Sequence, residues 1–204
     1  SPTLALIVRR EAEINAFKPV PFYTVRLELP GFHVVGERMK DKADAEELRH
    51  ICLESTVTVK QVERREKSEK PPALYDLTTL QRDANRLLGF TAQQTLDYLQ
   101  NLYEKKLCTY PRTDSRFLTS DMEEGLPVLA NLTANAMPFR KGIPIGCKTG
   151  AVINDKKVTD HHAILPTRNL QEADLSGLPA GEWEILELVA LRLLCAVAEP
   201  YTYT

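Results

Sequence analysis

The sequence predicts an α+β protein. A helical domain of winged-helix or helix-turn-helix character, residues 71–170, is inserted into a β-containing body formed by residues 17–70 and 171–204. Three observations carry this. Apolar spacing switches from alternation to a helical repeat after Lys70-Pro71-Pro72. Two capping boxes, Thr78-x-x-Gln81 and Thr91-x-x-Gln94, then open consecutive helices separated by Gly89. A Leu-rich helix and a β-like tail, "PYTYT", close the chain.

The elements follow in order. Leu4, Ile7, Val8, Ala12 and Ile14 place a helix over 3–16. Val25, Leu27 and Leu29 alternate before Pro30-Gly31, which predicts a β-hairpin whose second strand is Phe32–Gly36. "DKADAEELRHICL" predicts a short helix capped by Asp41 or Asp44, and "STVTVKQVERREK" a strand through Val57, Val59 and Val62. In that strand's end, Arg64, Arg65, Lys67 and Lys70 interleave with Glu63, Glu66 and Glu69, the pattern of a solvated edge. Leu80, Ala84, Leu87 and Leu88 line the first helix of the pair; Leu96, Leu99, Leu102 and Tyr103 line the second. A third helix is expected with Ser120 as N-cap and Glu123 closing its box. Short strand-like runs follow over 141–168, and a last helix over Gly181–Ala198 is apolar around more than half its circumference, so it should be sandwiched.

Composition excludes several functions. The chain has 204 residues, 43% hydrophobic, with no apolar run long enough to cross a membrane and no basic leader at its start. Cys52, Cys108, Cys147 and Cys195 form no CxxC pair, which argues against a zinc site or disulfide framework and fits a reducing compartment. With 26 Lys and Arg against 28 Asp and Glu, any nucleic-acid contact must come from a local site. Segment 171–204 sets six acidic residues against Arg192 alone, so it is no phosphate surface. The chain starts at Ser1 without an initiator Met and stops within a β-like alternation, so a piece of a longer polypeptide is expected.

The chemically dense stretch is "CTYPRTDSRF", residues 108–117. Pro111 drives Tyr110 toward extended backbone. There Tyr110 and Arg112 face the same side. Phenols ionise at about pH 10, so a tyrosine needs help to attack at neutral pH. A fixed guanidinium favours phenolate and neutralises a phosphate oxygen. Thr113 and Ser115 can donate to further phosphate oxygens, and Asp114 can orient Arg112 or Arg116. Read locally, Tyr110 is equally a plug at a helix–strand corner, with Asp114 and Ser115 in an Asx-type turn.

"LYEKKLCTYPRTDSRFL" resembles the active-site segment of type IA DNA topoisomerases. "PTLALIVRREAEINAFKP", "LYDLTTLQRDANRLLGFTAQQTLDYLQNLYE" and "VTDHHAILPT" resemble further family segments in the right order, the last in its topoisomerase III-like form. The resemblance implies a central fragment lacking the TOPRIM domain. It would comprise the end of the arch segment (1–16), the gate domain in two parts (17–70 and the truncated 171–204) and the nucleophile domain (71–170). It implies that Tyr110 is the nucleophile forming a 5′-phosphotyrosine, that Arg112 stabilises the scissile phosphate, and that His161 assists. Thr79, Gln81, Thr113, Ser115 and Arg116 become candidate contacts to single-stranded DNA. Mg²⁺ would be bound by the missing TOPRIM domain, leaving no metal site and little activity in this segment. The enzyme would work in the bacterial cytoplasm, at the nucleoid. The rival readings are a non-catalytic winged-helix DNA-binding module and, from "DHH" at Asp160–His162, a metal-dependent phosphoesterase. Neighbouring histidines in extended chain point to opposite sides, which disfavours a shared metal.

Overall fold

A computed structural model of the chain describes residues 1–140 and 146–204. They form a mixed structure of helices and two small antiparallel ribbons. The chain divides into two compact units, Ser1–Glu63 and Arg64–Thr204.

In the first unit, α1 (Pro2–Asn15) starts with a proline in its first turn, where the missing N–H costs nothing. None of its residues is buried. β1 (Arg26–Leu29) and β2 (Phe32–Val35) pair antiparallel with Leu29 opposite Phe32. Pro30 and Gly31 make the turn between them, Gly31 at a φ of 87°, a left-handed value that penalises any side chain. α2 (Lys42–Glu54) is capped by Asp41, whose carboxylate accepts from Ala43 N at 2.9 Å.

The strand expected from Ser55 does not form. Residues 56–66 join no β-ladder, with Val57, Val59 and Val62 exposed, because an alternating run without a partner ladder gains nothing from extension. The strand lies further on: β3 (Lys67–Glu69) pairs with β4 (Tyr201–Tyr203), so the "PYTYT" tail does form a strand.

The second unit is built around α3 (Leu77–Leu88), α4 (Ala92–Glu104), α5 (Leu126–Ala136) and α6 (Ala180–Ala196). Thr91 and Gln94 cap α4 reciprocally, as the sequence predicts. The box of α3 is shifted: Asp76, not Thr78, is the N-cap, and it exchanges bonds with Thr79. An ionised carboxylate is the stronger acceptor for free helix N–H groups. Gln81 instead donates to Ala92 O at 2.9 Å, joining the two helices.

The third helix also starts late. Residues 120–122 make a 3₁₀ turn, and α5 begins beyond Gly125 with Pro127 preset in its first turn. Both members of the expected box are engaged elsewhere. Ser120 donates through N and Oγ to Asp155 Oδ1 (2.8 and 3.2 Å), and Glu123 accepts from Thr149 at 2.6 Å.

Of the strand-like runs expected over 141–168, the portion at 141–145 lies outside the described residues. The remainder pairs only through single bridges: Leu118 with Ile153, Tyr75 with Ile164, Cys108 with Pro166. Pro166 has no N–H with which to extend a ladder. Among the described residues no ladder strand lies between Glu69 and Tyr201, so the wing expected with the helix pair is represented by these bridges alone.

α6 is sandwiched between two apolar clusters. Ile185, Leu186, Val189 and Ala190 pack with Leu80, Ala84, Leu99 and Leu102 of α3 and α4. Leu193, Leu194, Ala196 and Val197 pack with Leu126, Ala130 and Ala134 of α5. The extended run 163–165 alternates between them, Ile164 entering the first and Ala163 and Leu165 the second.

A polar network also ties α6 to α3. Arg192 donates to Asp83 and, at 2.9 Å, to the Tyr75 hydroxyl, with its guanidinium 4.1 Å from the Tyr75 ring centroid. Tyr75 donates to Asp83 at 2.8 Å. Burial opposes the Asp83 charge, but bonds from Tyr75 and Arg86 and the charge of Arg192 outweigh it and hold the carboxyl below its usual range. A depressed carboxyl contributes stability that is present above its unfolded pKa and lost as pH falls through the folded value. Arg192→Ala is therefore expected to cost about 2–3 kcal/mol at pH 7, less than a fully buried pair because both side chains keep some exposure. Denaturant titration should show that penalty shrinking as pH falls below about 4, where the unfolded carboxyl takes up its proton, and vanishing once pH drops past the depressed folded value.

Candidate active site

The stretch 108–117 is delivered by a sharp exit from α4. Lys106 takes a left-handed φ of 59°, an uncommon conformation for a side-chain-bearing residue. Its carbonyl is held by Thr167 Oγ1 and by Asn169 Nδ2 at 3.1 Å, and its N–H returns to Tyr103 O at 2.8 Å. The end of α4 is anchored from outside by Glu182 of α6. That buried carboxylate accepts from Asn101 at 3.0 Å and pairs with Lys105.

Beyond the reversal the chain lies against 161–167. Thr109 N donates to Leu165 O and Leu165 N to Thr109 Oγ1, both at 2.9 Å. From Pro111 to Ser115 burial alternates: Pro111, Thr113 and Ser115 face inward, Arg112 and Asp114 outward. Tyr110 continues the outward set and is half-buried. The backbone bends at Pro111, between Tyr110 and the exposed Arg112.

Tyr110 contacts two rings. The His161 ring centroid lies 4.3 Å away with planes tilted by 40°. Tyr103 makes a T-shaped contact at 5.5 Å and 82°. The fold therefore brings together Tyr110 and His161, some fifty residues apart in sequence. His162 turns away, donating through Nδ1 to Ala163 O at 2.7 Å. Arg112 is exposed, and its guanidinium makes no hydrogen bond or ion pair among the described residues.

The other candidate residues hold the loop. Thr113 Oγ1 donates to His161 O at 2.9 Å and accepts from Ser115 N at 3.1 Å, so it links the tyrosine strand to the histidine backbone directly. Ser115 Oγ donates to Lys157 O at 2.8 Å. Arg116 Nε donates to Leu74 O at 3.1 Å. Thr79 Oγ1 is engaged with Asp76 at the start of α3, a helix joined to the loop through Leu77 N to Thr113 O at 3.1 Å. Gln81, one turn on, bridges to α4, and no contact brings Thr79 or Gln81 to Tyr110.

Sequence reasoning overlooked Tyr103, Thr109 and the Lys157–Phe117 contact, in which the ammonium stands 4.7 Å from the ring centroid. Nothing in the helical pattern of α4 indicates that Tyr103 would meet Tyr110, because the contact depends on the left-handed turn at Lys106. Burial pushes the Cys108 thiol up to about 12, so it stays protonated beside the strand and offers no competing nucleophile. Among the described residues, no three His, Cys, Asp or Glu side chains converge to hold a metal ion, and no helix is long and apolar enough to cross a membrane.

The arrangement is a phenol in contact with two rings, with an exposed guanidinium two residues on. The DNA topoisomerase family profile matches residues 1–204. The chain is 38% identical over 219 residues to DNA topoisomerase 3 of Bacillus subtilis and 34% identical over 211 residues to that of Staphylococcus aureus strain MRSA252. In each case the match covers 100% of this chain and 29% of the relative. The solved structure of full-length topoisomerase I from Thermotoga maritima superimposes with a TM-score of 0.71 at 27% identity, over 98% of this chain and 33% of that one. The chain thus spans less than a third of the length of these curated relatives. By profile, sequence and fold alike, it belongs to the type IA DNA topoisomerase family and resembles its topoisomerase III members.

Proposed function

We propose that this chain carries the nucleophile of a type IA topoisomerase that opens one DNA strand, lets another pass and reseals the break. The observation that supports it most is Tyr110 in ring contact with both His161 and Tyr103, two residues before the exposed Arg112. In the forward step Tyr110 Oη bonds to the scissile phosphorus as the P–O3′ bond breaks. The phenolic proton is lost, and one proton is taken up by the departing 3′ oxygen. The product is a 5′-phosphotyrosine and a free 3′-hydroxyl. One phosphodiester replaces another, so resealing reverses the same exchange and needs no ATP.

Arg112 neutralises charge on the nonbridging phosphate oxygens. His161 lies where it can donate to phosphate or take part in proton movement. Thr113 and Ser115 keep the strand extended through His161 O and Lys157 O, and Arg116 braces it on Leu74 O; contact of these three, and of Thr79 and Gln81, with single-stranded DNA is part of the same proposal. Residues 71–170 act as the nucleophile domain, residues 17–70 and 171–204 as parts of the gate, and residues 1–16 as the end of the arch. Mg²⁺ ligands are assigned to a TOPRIM domain outside this chain, and no step here runs through the ion. The site of action is the bacterial nucleoid.

The isolated chain is accordingly expected not to relax supercoiled plasmid, whereas the full-length polypeptide does. Gel mobility after incubation with Mg²⁺ checks this, and relaxation by the chain alone would refute the division of labour. The rival module, a winged-helix body that only binds DNA, needs no reactive hydroxyl and predicts that Tyr110→Phe is silent.

A further inference from the structure

We propose that Tyr103 is a positioning residue for the reaction: its ring, in T-shaped contact with Tyr110, fixes the direction in which the phenol points. This rests on the reading of Tyr110 as the nucleophile. Tyr103 lies on the last turn of α4 and remains 39% exposed, so it does not belong to the core that its neighbours Leu99 and Leu102 enter. Its ring contact is with Tyr110, at 5.5 Å and 82°, the edge-to-face geometry in which a positive ring edge meets a negative ring face. Its hydroxyl makes no hydrogen bond among the described residues, so the ring itself carries the interaction.

The support beneath Tyr103 is rigid. Glu182 fixes Asn101 and Lys105 on either side of it, and Lys106 N binds its carbonyl at 2.8 Å. The support beneath Tyr110 is less complete. Tyr110 lies outside any helix or strand, just before the bend at Pro111, where backbone alone leaves the side-chain rotamer open. His161 closes one side of that rotamer space, and it is itself an exposed loop residue. Tyr103 restricts that space further, from a helix. Misdirecting a nucleophile by a fraction of an ångström slows attack without weakening ground-state binding, since bound substrate need not touch Tyr103.

The test uses the full-length polypeptide and a single-stranded oligonucleotide, with single-turnover formation of the covalent complex, the Kd for DNA and the Tm measured together. Tyr103→Ala is expected to slow cleavage about tenfold with Kd and Tm close to wild type, and Tyr103→Phe to restore the rate to within about twofold. Tyr103→Leu, which keeps apolar bulk on α4 without the ring, should behave as Ala does and serves where Ala folds poorly. Wild-type cleavage by Tyr103→Ala overturns the proposal. So does a Phe variant as slow as Ala, or a loss of Kd and Tm in step with rate. Tyr110→Phe run alongside separates the two readings: if it still forms the covalent complex, the assignment of the nucleophile fails instead.

Discussion

Tyr110→Phe is expected to abolish covalent capture of DNA by the full-length polypeptide while leaving its fold and DNA affinity in place. The substitution removes one oxygen. The ring keeps its contacts with His161 at 4.3 Å and Tyr103 at 5.5 Å, and the loop around it is secured by Thr109, Thr113 and Ser115 rather than by the phenol. Stability should change by less than about 0.5 kcal/mol, the range of a surface substitution. Cleavage, having lost its nucleophile, should fall on the order of 10⁴-fold or more. Denaturing gels of labelled oligonucleotide, thermal melts and a binding titration on one preparation check all three expectations. A silent substitution would favour the DNA-binding module.

Arg112→Ala should have the second largest effect, about a hundredfold or more in the rate of covalent-complex formation. Its guanidinium is exposed and unpaired in the free protein, so its removal disturbs no internal bond and the Tm should hold. This contrasts with Arg192, whose loss breaks a pair with Asp83 and a bond to Tyr75. Two arginines therefore separate cleanly: Arg112 should change rate without stability, Arg192 stability first. Arg112→Lys should recover only part of the rate, because an ammonium cannot reproduce the planar two-point grip on a phosphate. Rapid-quench cleavage assays at saturating DNA distinguish the loss in rate from any loss in binding.

Much of this was legible in the sequence, for identifiable reasons. The helix pair with Gly89 between them, the hairpin at Pro30-Gly31 and the sandwiched α6 all rest on local spacing and turn chemistry, and all are present. The failures have other causes. The start of α3 moved to Asp76 because its carboxylate outcompetes the Thr78 hydroxyl as a cap, and the start of α5 moved past Gly125 because side chains distant in sequence, Asp155 and Thr149, claim Ser120 and Glu123. The strand at 55–67 failed for want of a partner, and 163–166 reads as a strand yet pairs only at single residues. At the site, the period of two predicts Arg112 beside Tyr110, but the backbone bends at Pro111 between them. The approach of His161 and Tyr103 was not legible, since it depends on the Lys106 reversal and on Thr109 bonding to 163–165. Thr113 and Ser115 illustrate the same limit. Their hydroxyls read as free donors, whereas in the fold they bind carbonyls 48 and 42 residues away.

The central claim is chemical: Tyr110 Oη becomes bonded to a 5′-phosphate. The most direct test is to trap the full-length polypeptide on a single-stranded oligonucleotide with denaturant, digest the DNA and protein, and sequence the adduct by mass spectrometry. The expected result is a nucleotide linked through its 5′-phosphate to the tyrosine of the peptide containing "CTYPRTDSRF". An adduct on another residue, a 3′-phosphate linkage, or no adduct from protein that relaxes DNA would contradict the account.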